Sequence, residues 1–185
     1  MISEILKEAE HKMKKAIQIT RDELSHIRTG RASTALVENI KVDYYGVATS
    51  LKEIANISVP EADLIVIQPW DKNSINDVEK AIWKADLGLT PNNDGSVIRL
   101  SIPPLTEERR KELVKFVKKE AESAKVAIRN IRREINEKIK KMEKNSDISE
   151  DESKEAQKSV QDLTNNYTSK MDDICKHKED EVMKV

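Results

Sequence analysis

Five basic side chains in the second half of the chain recur at intervals that place them on one side of a helix: Lys125, Arg129, Arg132, Arg133 and Lys140. At about 100° per residue, they fall within a single arc of about 100°. Glu134 and Glu137 fall on other arcs, so we expect no carboxylate to neutralise the stripe along its own line. Guanidinium groups match phosphate geometry, and the grouping therefore indicates a nucleic-acid contact. A solvated helix flank is the alternative and the usual explanation of a charged stripe.

The helix that carries this stripe is predicted to span residues 106–144. Its apolar positions step by threes and fours, the period of a helix packed against partner helices: Leu113, Val117, Ala121, Ala124, Ile128, Ile131, Ile135, Ile139 and Met142. Such a helix would be about 60 Å long at its usual rise per residue. That length predicts an elongated body rather than a compact domain.

Two other segments show the same period. Residues 2–28 are predicted to form a helix ended by Gly30, because glycine most easily takes the left-handed cap conformation. The last helix is predicted to open at a capping box formed by Ser149 and Glu152. None of the three helices can hide its apolar face alone, which favours a three-helix bundle.

Between the first and second long helices the pattern changes to that of strands, which are predicted at 40–44, 54–59, 64–67 and 97–102. A helix capped by Ser74 and ended by Gly88 precedes the last strand, and 92–95 is predicted to be a turn. Trp83 is expected to pack in the core beneath this helix.

The predicted fold is α+β: an antiparallel three-helix bundle with a small β/α/β domain inserted after its first helix. The bundle takes residues 1–30 and 105–185, and the inserted domain takes 31–104. The chain crosses between the domains at Gly30 and Arg31 and again at Pro103, Pro104 and Leu105. Two adjacent crossings favour a hinge, so we expect an L-shaped molecule whose arms change angle.

Composition limits the possible functions. The net charge of −1 means that nucleic-acid binding would be local rather than global. No run approaches the roughly 18 apolar residues of a membrane span, and the start of the chain lacks a signal-peptide pattern. Cys175 is the only cysteine, which excludes an internal disulfide and fits a reducing compartment. We therefore expect a cytoplasmic protein with no membrane partner.

Residues that could support catalysis are scattered. The sequence contains no glycine-rich phosphate loop followed by Lys and Ser or Thr. His11, His26 and His177 lie far apart, and no second cysteine accompanies them, so a zinc site is not expected. The sequence predicts no cofactor, no metal and no enzyme.

Four stretches in register resemble the bacterial ribosome recycling factor family: IRTGRA at 27–32, GLTPNNDG at 88–95, PPLTEERR at 103–110 and VAIRNIRR at 126–133. The likeness covers the whole chain, including the order of its elements. The resemblance implies a three-helix bundle plus a β/α/β domain with the outline of a transfer RNA.

The resemblance also implies a function. After termination, such a factor acts with elongation factor G and GTP to split the ribosome into subunits, which frees messenger RNA and deacylated transfer RNA. The elongation factor hydrolyses the GTP. The bundle of a monomeric factor would dock on large-subunit ribosomal RNA through arginines that match Arg132 best and Arg129 next, with Arg28, Arg31 and Arg133 as weaker matches. Lys125 joins them as part of the stripe.

Two other functions fit the residues alone. A helical adaptor or chaperone would use the same spacing to form an oligomeric coiled coil. A general RNA-binding protein would use the same basic stripe. Sedimentation distinguishes the first from an elongated monomer, and co-sedimentation with ribosomes rather than free RNA distinguishes the second.

Overall fold

The computed structural model describes residues 1–184, which form two compact units. One unit combines Met1–Ile27 with the chain from Glu107 onward, and the other is Arg28–Thr106. We call them the helical unit and the sheet unit. The predicted α+β class is confirmed.

In chain order the helices and strands are α1 (Ile2–Ser25), β1 (Lys41–Tyr44), β2 (Val47–Ser50), β3 (Ala55–Glu61), β4 (Leu64–Pro69), α2 (Ile75–Lys84), β5 (Pro91–Asn93), β6 (Ile98–Ser101), α3 (Glu107–Lys144) and α4 (Glu150–Met183). Short 3-10 turns lie at Thr34–Leu36, Leu51–Glu53 and Lys72–Ser74.

The helical unit is held by the apolar faces of α1, α3 and α4. One cluster joins Met13 of α1 to Val117 and Ile128 of α3 and to Met171 of α4, and all four side chains are fully buried. A second cluster, which includes Ile139, continues the core along the helices. The apolar positions predicted for α3 are buried or half-buried, so the period of three and four residues located this core correctly.

The connection from α3 to α4 uses two local devices. Ser146 takes a left-handed conformation (φ 65°) just after α3, where the Asp147 N–H bonds to the Met142 carbonyl at 2.9 Å. This is the Schellman arrangement that satisfies the last carbonyls of a helix. Ser149 then opens α4: its Oγ accepts the Glu152 N–H at 3.3 Å, and Glu152 accepts the Ser149 N–H at 2.8 Å. The predicted capping box is confirmed.

The sheet unit contains a hairpin and a four-stranded sheet. Strands β1 and β2 pair antiparallel around Tyr45 and Gly46, whose φ angles of 50° and 82° suit the tight turns that match strand twist. The sheet has the order β3-β4-β6-β5, and every pairing is antiparallel. Its inner face, with Ile65 and Leu100 fully buried, shares one core with Val78 of α2.

Several predicted ends of helices are wrong. Helix α1 ends at Ser25, and the residue that caps it, His26, has a right-handed conformation, so Gly30 is not its cap. Helix α2 ends at Lys84, and Asp86 (φ 48°), not Gly88, takes the first left-handed conformation after it. Both helices end before the chain reaches a glycine. Gly30 and Gly88 therefore lie in the connections that follow the helices.

The start of α2 also differs from the prediction. The Ser74 hydroxyl makes no cap bond to α2; it donates to the Asp71 carbonyl at 2.7 Å. Asp71 is the cap, because its Oδ1 accepts the Asn73 N–H at 2.9 Å and opens a 3-10 turn before the helix. The expectation for Trp83 is wrong as well: it is 56% exposed, since the inner face of α2 is taken by smaller neighbours such as Ile82.

Two strands differ from the sequence prediction. The pattern did not indicate β2, which is largely exposed. Asn92 and Asn93, predicted as turn residues, belong to β5 and pair with Arg99 and Ile98 of β6. The turn therefore starts at Asp94, whose Oδ1 accepts the N–H groups of Ser96 and Val97, each at 2.9 Å.

Candidate nucleic-acid interface

The basic stripe of α3 lies beside α4. Lys125, Arg129 and Arg132 are half-buried, whereas Arg133 and Lys140 are exposed. The stripe therefore divides into a part that touches other side chains of the helical unit and a part that faces solvent. We call these five residues the basic flank.

Lys125 is the most enclosed member of the basic flank, with a side chain 20% exposed. Its Nζ lies 2.9 Å from Asp172 Oδ1 on α4 and 3.4 Å from Glu122 Oε2 on its own helix. The hydrogen bond to Asp172 is the main reason that the pKa of Lys125 is raised above its ordinary value. Lys125 thus stays charged and also ties α3 to α4.

Arg129 is paired with a carboxylate that the sequence prediction overlooked. Its Nη1 lies 3.1 Å from Glu122 Oε1. The Arg129 guanidinium, and next Lys125, hold the pKa of Glu122 below its ordinary range. Glu122 stands about 60° around the helix from Lys125, inside the arc of the stripe. The expectation that no carboxylate neutralises the stripe along its own line is therefore wrong at this position.

Glu134 lies on another face of α3, as predicted. Its Oε1 is 2.7 Å from Lys12 of α1 and 3.3 Å from Lys138. Glu8 of α1 contacts the same two lysines at 2.9 and 2.6 Å. The four side chains form a closed ring of alternating charge between α1 and α3. None of the five residues of the basic flank belongs to this ring.

The far end of the basic flank keeps its positive charge. Arg132 Nη1 donates to Gln161 Oε1 on α4 at 3.1 Å, and Gln161 in turn donates to Asn165 at 2.8 Å. These partners are neutral, so Arg132 is oriented without being neutralised. Within residues 1–184, Arg133 and Lys140 form no ion pair, so no carboxylate neutralises their charges at this end of the flank.

The remaining two predicted contact residues lie in the sheet unit. Arg28 Nη1 donates to the Leu87 carbonyl. Arg28 and Arg31 both line a cavity of about 120 Å³ whose other walls include Leu36 and Ile102. Arg28 is thus committed to a backbone carbonyl of its own unit, while the other four candidates lie on α3.

Sequence reasoning missed Arg110. It stands about five turns before Ile128 on the same line of α3, so it is a cation on the apolar side of the helix. Its Nε is buried and has no hydrogen-bond acceptor in the described part of the chain. The signal in the sequence was a basic residue at a position where the helical repeat of α3 calls for an apolar one.

Other chemistry is sparse in the part of the chain that the structure describes. No group of three or more His, Cys, Asp or Glu side chains there could hold a metal ion. Burial, and then the Glu179 carboxylate, raise the pKa of the Cys175 thiol to about 11, which makes this thiol unreactive at neutral pH. None of the helices in residues 1–184 combines the length and the apolar character that a membrane crossing needs.

Comparison with known proteins agrees with the family resemblance noted in the sequence. A model of the family "Ribosome recycling factor" matches residues 20–183. The ribosome-recycling factors of Geobacillus sp. strain WCH70 and Listeria monocytogenes serotype 4b strain F2365 are 57% and 56% identical to this chain over 185 residues, which is the full length of each protein. The motif resemblance seen in the sequence is therefore confirmed.

Two solved structures are similar to the whole chain. A solution structure of the ribosome recycling factor has a TM-score of 0.79 and 48% identity, and the match covers 100% of this chain and 98% of that one. Models for the T. thermophilus ribosome recycling factor and the E. coli elongation factor G bound to the E. coli post-termination complex give a TM-score of 0.63 and 43% identity over 99% of each chain. With the family model, the full-length identity and the shared fold in agreement, this chain belongs to the ribosome recycling factor family.

Proposed function

We propose that this protein binds the post-termination ribosome and, with elongation factor G and GTP, splits it into subunits, releasing messenger RNA and deacylated transfer RNA. Identity of 57% over the full length of a ribosome-recycling factor carries this proposal. The similar structure described with elongation factor G on a post-termination complex supports both partners. The GTP is hydrolysed by the elongation factor, in keeping with a sequence that lacks a phosphate-binding loop.

The basic flank is the surface that we assign to large-subunit ribosomal RNA. Arg132 and Arg133 are its leading contacts, because their guanidinium groups are not neutralised by a carboxylate in residues 1–184. Arg129 and Lys125 extend the surface along α3. A rigid helix with cations along one side suits the phosphates and shape of folded RNA rather than its base sequence.

Arg28 and Arg31 remain weaker candidates for RNA contact. Arg28 would have to leave the Leu87 carbonyl to reach a phosphate. We assign them a second role, at the hinge that joins the bundle (1–30 and 105–185) to the inserted domain (31–104). In this role the inserted domain receives the push of the elongation factor and transmits it to the bundle.

The hinge proposal rests on the two chain crossings. Gly30 has φ 75°, and a Cβ added there would lie 3.1 Å from Leu105 Cγ and 3.3 Å from the Leu105 nitrogen. The first crossing therefore approaches the second, which also includes Pro103 and Pro104, at a position where only glycine fits easily. Two chain segments in close contact can rotate together as one hinge.

A polysome-breakdown assay tests the function. Purified post-termination ribosomes are incubated with elongation factor G and GTP, with and without this protein, and subunits are measured by sucrose-gradient sedimentation. We expect subunits to accumulate only when all three components are present. Ribosomes that stay intact would contradict the proposal. Equilibrium sedimentation of the protein alone should show a monomer, and cell fractionation should place it in the cytoplasm with ribosomes.

A further inference from the structure

Glu122 occupies a place on the basic flank that a phosphate group could take. One of its oxygens lies 3.1 Å from Arg129 Nη1 and the other 3.4 Å from Lys125 Nζ. We propose that Glu122 is an intramolecular competitor of RNA phosphate, and that docking on RNA replaces its carboxylate with a phosphate at Arg129. This inference rests on the proposed RNA-binding function of the basic flank.

The geometry makes such an exchange possible. Glu122 is 56% exposed and Arg129 is 43% exposed, so both partners remain within reach of a ligand. Carboxylate and phosphate present similar oxygen pairs to a guanidinium group. The two side chains are seven residues apart, and helical side chains lean toward the N-terminus, so Arg129 folds back along α3 to meet Glu122. Release of Glu122 would let the guanidinium swing outward.

Lys125 is less free to respond. It is also bound to Asp172 on α4 at 2.9 Å and is only 20% exposed. Loss of the Glu122 contact therefore leaves Lys125 tied to α4, while Arg129 loses the only ion-pair partner it has in the described residues. The competition acts chiefly through Arg129.

The two ends of the basic flank would then engage RNA in different ways. Arg132, with a neutral partner, and Arg133 can meet a phosphate directly. Arg129 becomes available only when a phosphate displaces Glu122. A ligand with dense phosphates across both ends offsets that cost, whereas a loosely placed polyanion does not. Glu122 thus lowers the affinity of the basic flank for any RNA whose phosphates reach Arg129.

Salt dependence gives this exchange a signature. Each phosphate contact releases counterions and adds about 0.7 to 0.9 to the slope of log affinity against log salt. A displaced Glu122 carboxylate takes up a cation again, which cancels part of that release. Removing the carboxylate should therefore steepen the salt dependence by up to about one phosphate contact.

The test compares Glu122→Gln with Glu120→Gln. Glu120 is on α3 about 200° around the helix from Glu122, and within the described residues it has no ion-pair partner. Both variants remove one negative charge from the same helix. Binding is measured to purified large ribosomal subunits and to an unrelated A-form RNA duplex, at several NaCl concentrations, with melting temperature as the check on folding.

We expect Glu122→Gln to tighten duplex binding about two- to fivefold, the range of an exposed charge pair, and to steepen the salt slope. Affinity for the large subunit should rise at least as much, because phosphates that already displace Glu122 no longer meet that cost. Glu120→Gln should change neither affinity. In an Arg129→Ala background, Glu122→Gln should lose most of its effect, because the competition acts through that guanidinium.

Unchanged or weaker duplex binding by Glu122→Gln would overturn the inference, and so would an equal effect of Glu120→Gln. Arg132→Ala separates this failure from failure of the proposed function. If Arg132→Ala weakens large-subunit binding while Glu122→Gln tightens nothing, only the competitor role is wrong. If Arg132→Ala leaves binding unchanged, the basic flank is not the RNA surface and both proposals fail.

Discussion

Arg132 on α3 donates a hydrogen bond from Nη1 to Gln161 Oε1 on α4 at 3.1 Å. Gln161 orients the guanidinium without bringing a negative charge to it, whereas Arg129 forms an ion pair with the Glu122 carboxylate. The structure thus distinguishes two arginines that look equivalent in the sequence, one turn apart on the same stripe.

Replacing Arg132 with alanine should weaken binding to the large ribosomal subunit. Each lost phosphate contact should also flatten the salt slope by about 0.7 to 0.9. The melting temperature should hardly change, because a half-exposed hydrogen bond to a neutral amide contributes little. Filter binding at several salt concentrations measures the effect. Lys14→Ala, at an exposed position of α1, is the control and should bind normally; normal binding by Arg132→Ala would contradict the assignment.

Replacing Gly30 with alanine should destabilise the sheet unit more than replacing Gly95. Both glycines have positive φ, 75° and 90°, so each alanine costs about 1–2 kcal/mol of backbone strain. Only at Gly30 does the added Cβ also approach Leu105, at 3.1 Å; at Gly95 it meets nothing within 4 Å. Thermal unfolding followed by fluorescence reports this unit, since both tryptophans, Trp70 and Trp83, lie in it. Equal losses would contradict the close approach.

The ring of charge between α1 and α3 should make stability depend on pH. Hydrogen bonds from Lys12 and then Lys138 lower the pKa of Glu8 to about 2 from its ordinary 4.5. A depressed carboxyl pKa stabilises the folded state above pH 4.5, and the effect is lost as pH falls toward 2. Glu8→Gln should therefore be less stable than the parent at pH 7, by less than about 1 kcal/mol for each exposed pair.

The difference between Glu8→Gln and the parent should shrink at pH 3, when urea unfolding is followed by far-ultraviolet circular dichroism. Glu137→Gln serves as the matched control, because Glu137 is exposed on α3 and has no ion-pair partner in residues 1–184. A difference that stays constant between pH 7 and pH 3 would show that the ring does not stabilise the protein.

Replacing Ser146 with glycine should stabilise the helical unit. Ser146 holds φ 65° between α3 and α4, a conformation that glycine adopts without a steric penalty. We expect a gain of roughly 0.5–1 kcal/mol in the free energy of unfolding, measured in urea. Ser146→Ala retains the Cβ and should give no gain. A loss of stability on Ser146→Gly would mean that chain entropy outweighs the relief of strain.

Replacing Pro103 and Pro104 with Gly and Ser should leave ribosome binding largely intact and change the rate of subunit splitting. The basic flank on α3 is untouched, whereas the proposed hinge becomes softer and transmits less force. Stopped-flow light scattering with elongation factor G and GTP measures the rate. Pro60→Ser, in β3 of the same unit, controls for loss of a proline. An unaltered splitting rate would count against the hinge.

The long helices could be predicted because their core faces are regular. Residues such as Val117, Ile128 and Met171 recur at helical spacing, and burial follows that spacing along the whole length. The Ser149 capping box was equally readable, since its two hydrogen bonds involve residues only three apart. Short-range hydrogen bonds and a regular helical spacing of apolar residues can both be recognised in a single sequence.

The short strands and the neutralised arginine could not be predicted in the same way. Strand β5 exists because Asn92 and Asn93 pair with β6, a tertiary contact that overrides their turn preference. Trp83 is exposed because smaller side chains fill the inner face of α2. Glu122 stands within the arc of the stripe, but only the side-chain conformations show that it binds Arg129, seven residues away.

The core that joins Met13 to Val117 and Met171 has a consequence for synthesis. Helix α1 is made first, yet its apolar partners follow only after the entire sheet unit, Arg28–Thr106, has been translated. At about 5–20 residues per second, that interval lasts about 4–16 s. The sheet unit can therefore fold cotranslationally on its own, while α1 waits as an unpartnered amphipathic segment of the nascent chain, exposed to chaperones until α3 and α4 leave the exit tunnel.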